Sequence, residues 1–134
     1  MRKPVINKKQ GFTLIELMIA IAIVAIVAAI GYPSYLGQVK KTERKRVVSR
    51  MLEVSSRMER IQSQQFRYQD PGDVQPPEVK YTLSVTVPQD GLSYLISADP
   101  AGFGRQADDI CGIMTLDQAG VWSFSNGLTE DDCI

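Results

Sequence analysis

Residues 17–30 read LMIAIAIVAIVAAI, fourteen consecutive apolar positions. Widening the stretch to 12–32 gives 21 residues interrupted only by Thr13, Glu16 and Gly31. A helix that is apolar on every side needs apolar surroundings, and about 20 such residues cross a bilayer. The pattern therefore predicts a membrane helix. A buried core helix fits less well, because it would keep a polar stripe. A cleaved secretory signal remains the other alternative, with only a poor small-residue cleavage site in AAIGY.

Beyond the span the pattern changes in kind. Pro33 has no amide to offer the carbonyl of Ala29, and Gly31 lowers local helix stability by about 1 kcal/mol relative to alanine. A gentle kink in a continuous helix is expected at Gly31 and Pro33, with Gly37 a further weak point. From residue 39 to 67 the helix becomes amphipathic. Val47, Val48, Met51, Leu52, Val54, Met58 and Ile61 recur at spacings of three and four and predict a core-facing stripe. A helix from 12 to 67 would be about 84 Å long, and its first half would lie outside any globular head.

The segment YQDPGDVQPP at 68–77 ends the helix. Four strand segments follow, at 80–87, 92–98, 110–116 and 121–125. Leu83, Val85 and Val87 share one face of the first. Gln89-Asp90-Gly91 suggests a hairpin between the first two, and 117–120 a turn between the last two. A helix followed by antiparallel strands is an α+β plan, with the helical stripe covering one face of the sheet.

Composition narrows the chemistry. The 134 residues include no histidine, which excludes histidine triads, histidine metal sites and an imidazole pH switch. Two cysteines cannot build a Cys-only structural zinc site. No nucleophile-and-base pair or phosphate loop is visible, so no enzyme activity and no cofactor are expected. The net charge of zero conceals a polarity. Residues 1–11 carry four cations and no acid, 12–67 carry nine cations against four acids, and 68–134 carry two cations against eleven acids. The basic run KKTERKR at 40–46 reads most simply as a solvated helix face. It would also suit anionic headgroups or the acidic heads of neighbouring subunits.

Glu16 stands inside the apolar span, where a carboxylate costs a few kcal/mol and asks for a partner or a function. One reading lets it snorkel to the interface; the other has it await a cation from another molecule. Residues 8–17, KKQGFTLIEL, place basic residues, Gly11, Phe12 and Glu16 in register with the span. This resembles the class III signal of type IV pilins and their relatives. The resemblance implies that a membrane peptidase cuts between Gly11 and Phe12 and that Phe12 is N-methylated. It also implies that Glu16 pairs with the Phe12 nitrogen of a neighbouring subunit during assembly.

The organisation expected from it is a leader at 1–11, an assembly helix at 12–39, a stem at 40–67 and a β-sheet head at 68–134. Such a chain would be held in the inner membrane by one span and then assembled into an extracellular filament. Its partners would be other pilins and the prepilin peptidase that also methylates.

An exported head of barely 65 residues benefits from a staple. Cys111 and Cys133 can supply it, at roughly 3 kcal/mol by chain entropy, with free thiols as the alternative. The segment CGIMTLDQAG followed by tryptophan, with a second cysteine near the end, resembles minor pilins of the ComP and PilE-like group. This implies a type IV pilin fold with a disulfide-bounded region at 111–133. It also implies a role in pilus biogenesis, twitching motility, adhesion or DNA uptake. A competence pilin that binds DNA and a type II secretion pseudopilin are the alternatives, and the acidic head weighs against DNA. Asp108, Asp109, Glu130, Asp131 and Asp132 flank the two cysteines, and such a group could hold a divalent cation or form a solvated acidic edge.

Overall fold

The computed structural model describes residues 11–134. The expectations for the cationic leader before Gly11 lie outside the described residues. The elements in order are α1 (Leu14–Gln65), β1 (Thr82–Thr86), β2 (Leu95–Asp99), β3 (Met114–Asp117), β4 (Trp122–Phe124) and the single-turn helix α2 (Glu130–Cys133). The described residues fall into two compact units, the first ending at Gly37 and the second Gln38–Ile134.

In the first unit, α1 begins where Thr13 can cap it. The Glu16 amide donates to Thr13 Oγ1 at 3.3 Å, and the Leu17 amide to the Thr13 carbonyl at 3.2 Å. A helix start leaves its first amides without partners, and a threonine hydroxyl satisfies one. Thr13 and Glu16 hold the spacing of a capping box, and the backbone half of it is formed. The helix continues through Gly31 and Pro33.

In the second unit, the stem half of α1 supplies Val47, Val48, Met51, Val54 and Met58 to the core. The sheet answers with Leu83, Ile96, Ala98, Met114 and Leu116. Its four strands lie in chain order and pair antiparallel throughout, with Leu83 opposite Ala98, Ile96 opposite Leu116, and Met114 opposite Phe124. The two-residue period of a strand puts these on the helix side and leaves Thr82, Ser84 and Thr86 exposed on the other. The α+β plan and the disulfide are both present, with Cys111 and Cys133 bonded across a Cα separation of 5.9 Å.

Three details differ from the sequence pattern. Leu52 is 52% exposed. It follows Met51 by about 100° around the helix, and Met51 already points at the sheet. The second and third strands start later than expected, at Leu95 and Met114. Before β2, Gly91 adopts a φ of 64°, which favours glycine, and packs closely against the Tyr68 carbonyl. Its carbonyl accepts the Tyr68 amide at 2.9 Å. The expected hairpin of β1 and β2 forms, and its loop, turned by the Gly91 amide on the Pro88 carbonyl at 2.9 Å, is tied to the end of the helix. Before β3, Gly112 has a φ of 61°, and a Cβ there would collide with Ser125 Oγ. Finally, α1 stops at Gln65, and Phe66 takes a left-handed φ of 58° as the chain turns back.

Candidate functional site

The apolar half of α1 is the first candidate. Phe12 is 86% exposed, and the large side chains Leu14, Ile15, Leu17, Met18, Ile19, Ile21, Ile23, Val24, Ile26, Val27 and Ile30 are all exposed. The 18-residue window that would cross a membrane is 0% buried within the chain. Soluble monomers rarely expose so large a contiguous apolar surface, which marks contact with lipid or with other subunits. Gly11 is exposed, with open space where a Cβ would sit. Glu16 lies in the first turn of α1, the end of a helix that favours an acid. Among the described residues it takes part in no ion pair. A carboxylate without a cation of its own, on an apolar rod, can be satisfied by a cation from a second molecule. Thr13 beneath it is the residue that the pattern reading passed over, although the T-x-x-E spacing carried the signal.

The stem carries the second site, a buried polar core. Arg44 donates to Asp109 through two nitrogens, Nε to Oδ1 at 3.0 Å and Nη2 to Oδ2 at 2.9 Å. Both side chains are almost wholly buried. Asp109 Oδ1 also accepts the Cys111 amide at 3.0 Å, and Oδ2 accepts from Gln106 Nε2 at 3.2 Å. Gln106 Nε2 further donates to Tyr81 Oη at 2.8 Å and to the Lys40 carbonyl at 3.3 Å. One carboxylate thereby ties the stem, the short 3-10 turn at Gly104–Asp108 and the disulfide. The basic run at 40–46 is accordingly not a uniform solvated face: Arg44 and Glu43 are buried, while Lys41 and Lys45 are exposed. Glu43 accepts from Arg46 at 3.0 Å through Oε1. Its Oε2 is the one buried side-chain atom without a hydrogen-bond partner among the described residues.

The five acids near the cysteines do not converge. Asp109 is committed to Arg44, and Asp132 Oδ2 accepts the Thr129 hydroxyl at 2.7 Å and amide at 3.2 Å in a capping box. That hydroxyl bond holds the Asp132 carboxyl below the usual carboxylate range. Asp108, Glu130 and Asp131 are exposed. Among the described residues no group of three or more metal-binding side chains is assembled.

Two tyrosines fasten the head to the stem. Tyr68 and Tyr94 meet edge to face at 4.8 Å, and both phenols donate to Glu59 Oε1, at 3.0 and 3.3 Å. Burial, then the Glu59 carboxylate, pushes the Tyr68 phenol up to about 12. Burial pushes Tyr81 up to about 12 as well, against the opposing hydrogen bond from Gln106. A phenol raised above its ordinary value of 10 favours the neutral form in the fold. Its contribution to stability is complete below pH 10 and is lost as pH rises from 10 through 12. Burial raises the Tyr94 phenol too, so spectroscopic titration of phenolate should show three tyrosines ionising late, with unfolding in that window. Tyr81→Phe should remove one of the late steps.

Comparisons with known proteins agree with this arrangement. A family model for a prokaryotic N-terminal methylation motif matches residues 6–32. A second, for the type IV minor pilin ComP, DNA uptake sequence receptor, matches residues 33–115. The chain is 31% identical over 107 residues to the type II secretion system core protein G of Klebsiella michiganensis, covering 72% of this chain and 70% of that one. It is 51% identical over 45 residues to fimbrial protein Q of Moraxella bovis, covering 34% of this chain and 29% of the relative. A solved structure of a type IV pilin from Shewanella oneidensis superposes with a TM-score of 0.55 at 25% identity. That match covers 68% of this chain and 99% of the other.

Proposed function

The chain belongs to the ComP family of type IV minor pilins, and from that premise we propose that its exposed apolar helix, with Glu16 as register contact, builds it into the filament. As a pilin it is a structural subunit, anchored in the inner membrane before assembly and carried in the extracellular pilus afterwards. The processing peptidase cuts between Gly11 and Phe12, where glycine offers no side chain to obstruct it, and Phe12 receives the N-methyl group. The new amine then pairs with Glu16 of an adjacent subunit, so that two groups costly alone in an apolar medium offset one another. Gly31 and Pro33 give the helix a weak point at which it can loosen within the filament.

The observation that carries this reading is the wholly unburied apolar span with a lone acid in its first turn. Fibres sheared from cells should contain the chain. Cells lacking the prepilin peptidase should hold it in the inner membrane with no copy in the fibre fraction. Equal recovery from both strains would overturn the reading.

The family match favours a second role, DNA uptake. Binding to DNA rests on Lys and Arg contacts to phosphate. Residues 68–134 offer only Lys80 and Arg105, so the contacts would fall to stem cations such as Lys41, Lys45 and Arg60. A mobility shift that weakens steeply with added salt supports this role, and no shift at low salt rejects it. The pseudopilin alternative draws on the likeness to the secretion protein across both helix and head.

A further inference from the structure

The turn after β4 holds a reactive pair that neither the core nor the exposed helix uses. It closes on a bond from the Gly127 amide to the Phe124 carbonyl at 3.2 Å, with Gly127 at a φ of 72°. Asn126 is the one asparagine of the chain that is followed by glycine. Both residues are exposed, so water reaches them, and open space lies where a Gly127 Cβ would sit. With no side chain in the way, the Gly127 nitrogen can attack the side-chain amide that precedes it. Such an intramolecular attack gains from proximity.

The fold holds the same turn away from that reaction. Asn126 Nδ2 donates to the Ile110 carbonyl at 2.8 Å, next to bridged Cys111. Asn126 Oδ1 lies against Gly112, where an added Cβ would come within 3.1 Å of it. Ser125 ties the turn to the same segment. Its amide donates to the Ile113 carbonyl at 3.0 Å, and its Oγ accepts the Ile113 amide at 2.9 Å. Residues 110–113 are fixed in turn by the Cys111–Cys133 bond and by Asp109, which accepts the Cys111 amide. The leaving amide and the attacking nitrogen are both engaged, so the reaction runs from a locally opened turn.

We propose that Asn126 is a covalent modification site, converted to aspartate and isoaspartate at a rate restrained by the Cys111–Cys133 edge. This stands apart from the filament and DNA readings above. The Gly127 nitrogen bonds to Asn126 Cγ, the Cγ–Nδ2 bond breaks, and the displaced nitrogen leaves as ammonia with the proton that Gly127 gives up. Water then opens the resulting cyclic imide, and nothing is oxidised or reduced. Opening at Cγ gives aspartate; opening at the main-chain carbonyl gives isoaspartate, whose main chain runs through the former side chain. Either product puts an acid where a neutral donor held the Ile110 carbonyl, so the contact turns from attractive to repulsive. Isoaspartate also lengthens the turn and displaces the bond between Gly127 and Phe124.

The full-length chain in detergent tests this, incubated with the disulfide intact and after reduction. Conversion is read by peptide mapping at residue 126 and by labelling with an isoaspartyl methyltransferase. The intact chain should convert slowly and the reduced chain about ten-fold faster, because the rate follows the population of the opened turn. Ser125→Ala keeps the disulfide and loses the hydroxyl contact to Ile113. It should convert about three-fold faster than the parent while still unfolding cooperatively. Asn126→Gln would need a larger ring and should lose the label in both redox states. No conversion at residue 126 in the reduced chain, or label retained in Asn126→Gln, overturns the site. Equal rates in the intact, reduced and Ser125→Ala chains overturn the restraint.

Discussion

Glu16→Gln is expected to leave trimming of the chain intact and to reduce its recovery in sheared fibres roughly a hundred-fold. Glutamine keeps the shape and length of the side chain and removes its charge. It also leaves the contact between the residue-16 amide and Thr13 Oγ1, because the backbone supplies that donor. Helix capping is therefore preserved, and only the ability to offset a neighbouring amine is lost. Glu16→Asp retains the charge but shortens its reach, and should recover part of the incorporation. Immunoblots of membrane and fibre fractions give both readouts. Incorporation of the glutamine variant at the parent level would assign Glu16 to capping and interfacial solvation alone.

The second large effect concerns the stem. Arg44→Ala should destabilise the fold by about 3–5 kcal/mol, because it leaves the Asp109 carboxylate buried without its cation. Asp109→Ala should cost at least as much. It strands the Arg44 guanidinium and also leaves the Cys111 amide without its acceptor. Replacing both partners by apolar side chains, Arg44→Met with Asp109→Leu, should cost far less than the sum of the single changes. Urea unfolding of the full chain in detergent checks this through a shift of midpoint at unchanged slope. Near-additive losses in the double variant would show that the pair is not acting as a unit.

The same ion pair marks the boundary of what the sequence made legible. The apolar run at 17–30 makes a membrane-type helix legible by itself, since a helix apolar on every side needs apolar surroundings. The period of the stem placed Val47, Met51, Val54 and Met58 correctly, and the two-residue alternation placed Leu83 in the core. Leu52 was misplaced because spacings of three and four admit a wider arc than one sheet can bury. Arg44 was invisible within KKTERKR, where its neighbours Lys41 and Lys45 do face solvent. Its partner lies 65 residues away, and only the fold brings a charge in the stem to a charge beside Cys111. The late starts of β2 and β3 have a similar origin. Tyr68 holds Gly91, and Asp109 holds the Cys111 amide, so long-range contacts claim residues whose local preference was extended. Of the acids near the cysteines, the pattern showed proximity in sequence but not that Asp109 turns inward while Glu130 and Asp131 turn out.

The claim on which the account depends is that this polypeptide is matured at Gly11 and then held in a fibre by the helix so exposed. Intact-mass and peptide-terminus measurement on the chain recovered from sheared fibres tests it most directly. The expected polypeptide begins at Phe12, carrying one added methyl group on its amino nitrogen and an intact Cys111–Cys133 bond. Recovery of fibre-borne chain that still retains residues 1–11, or that starts at another residue, would contradict it.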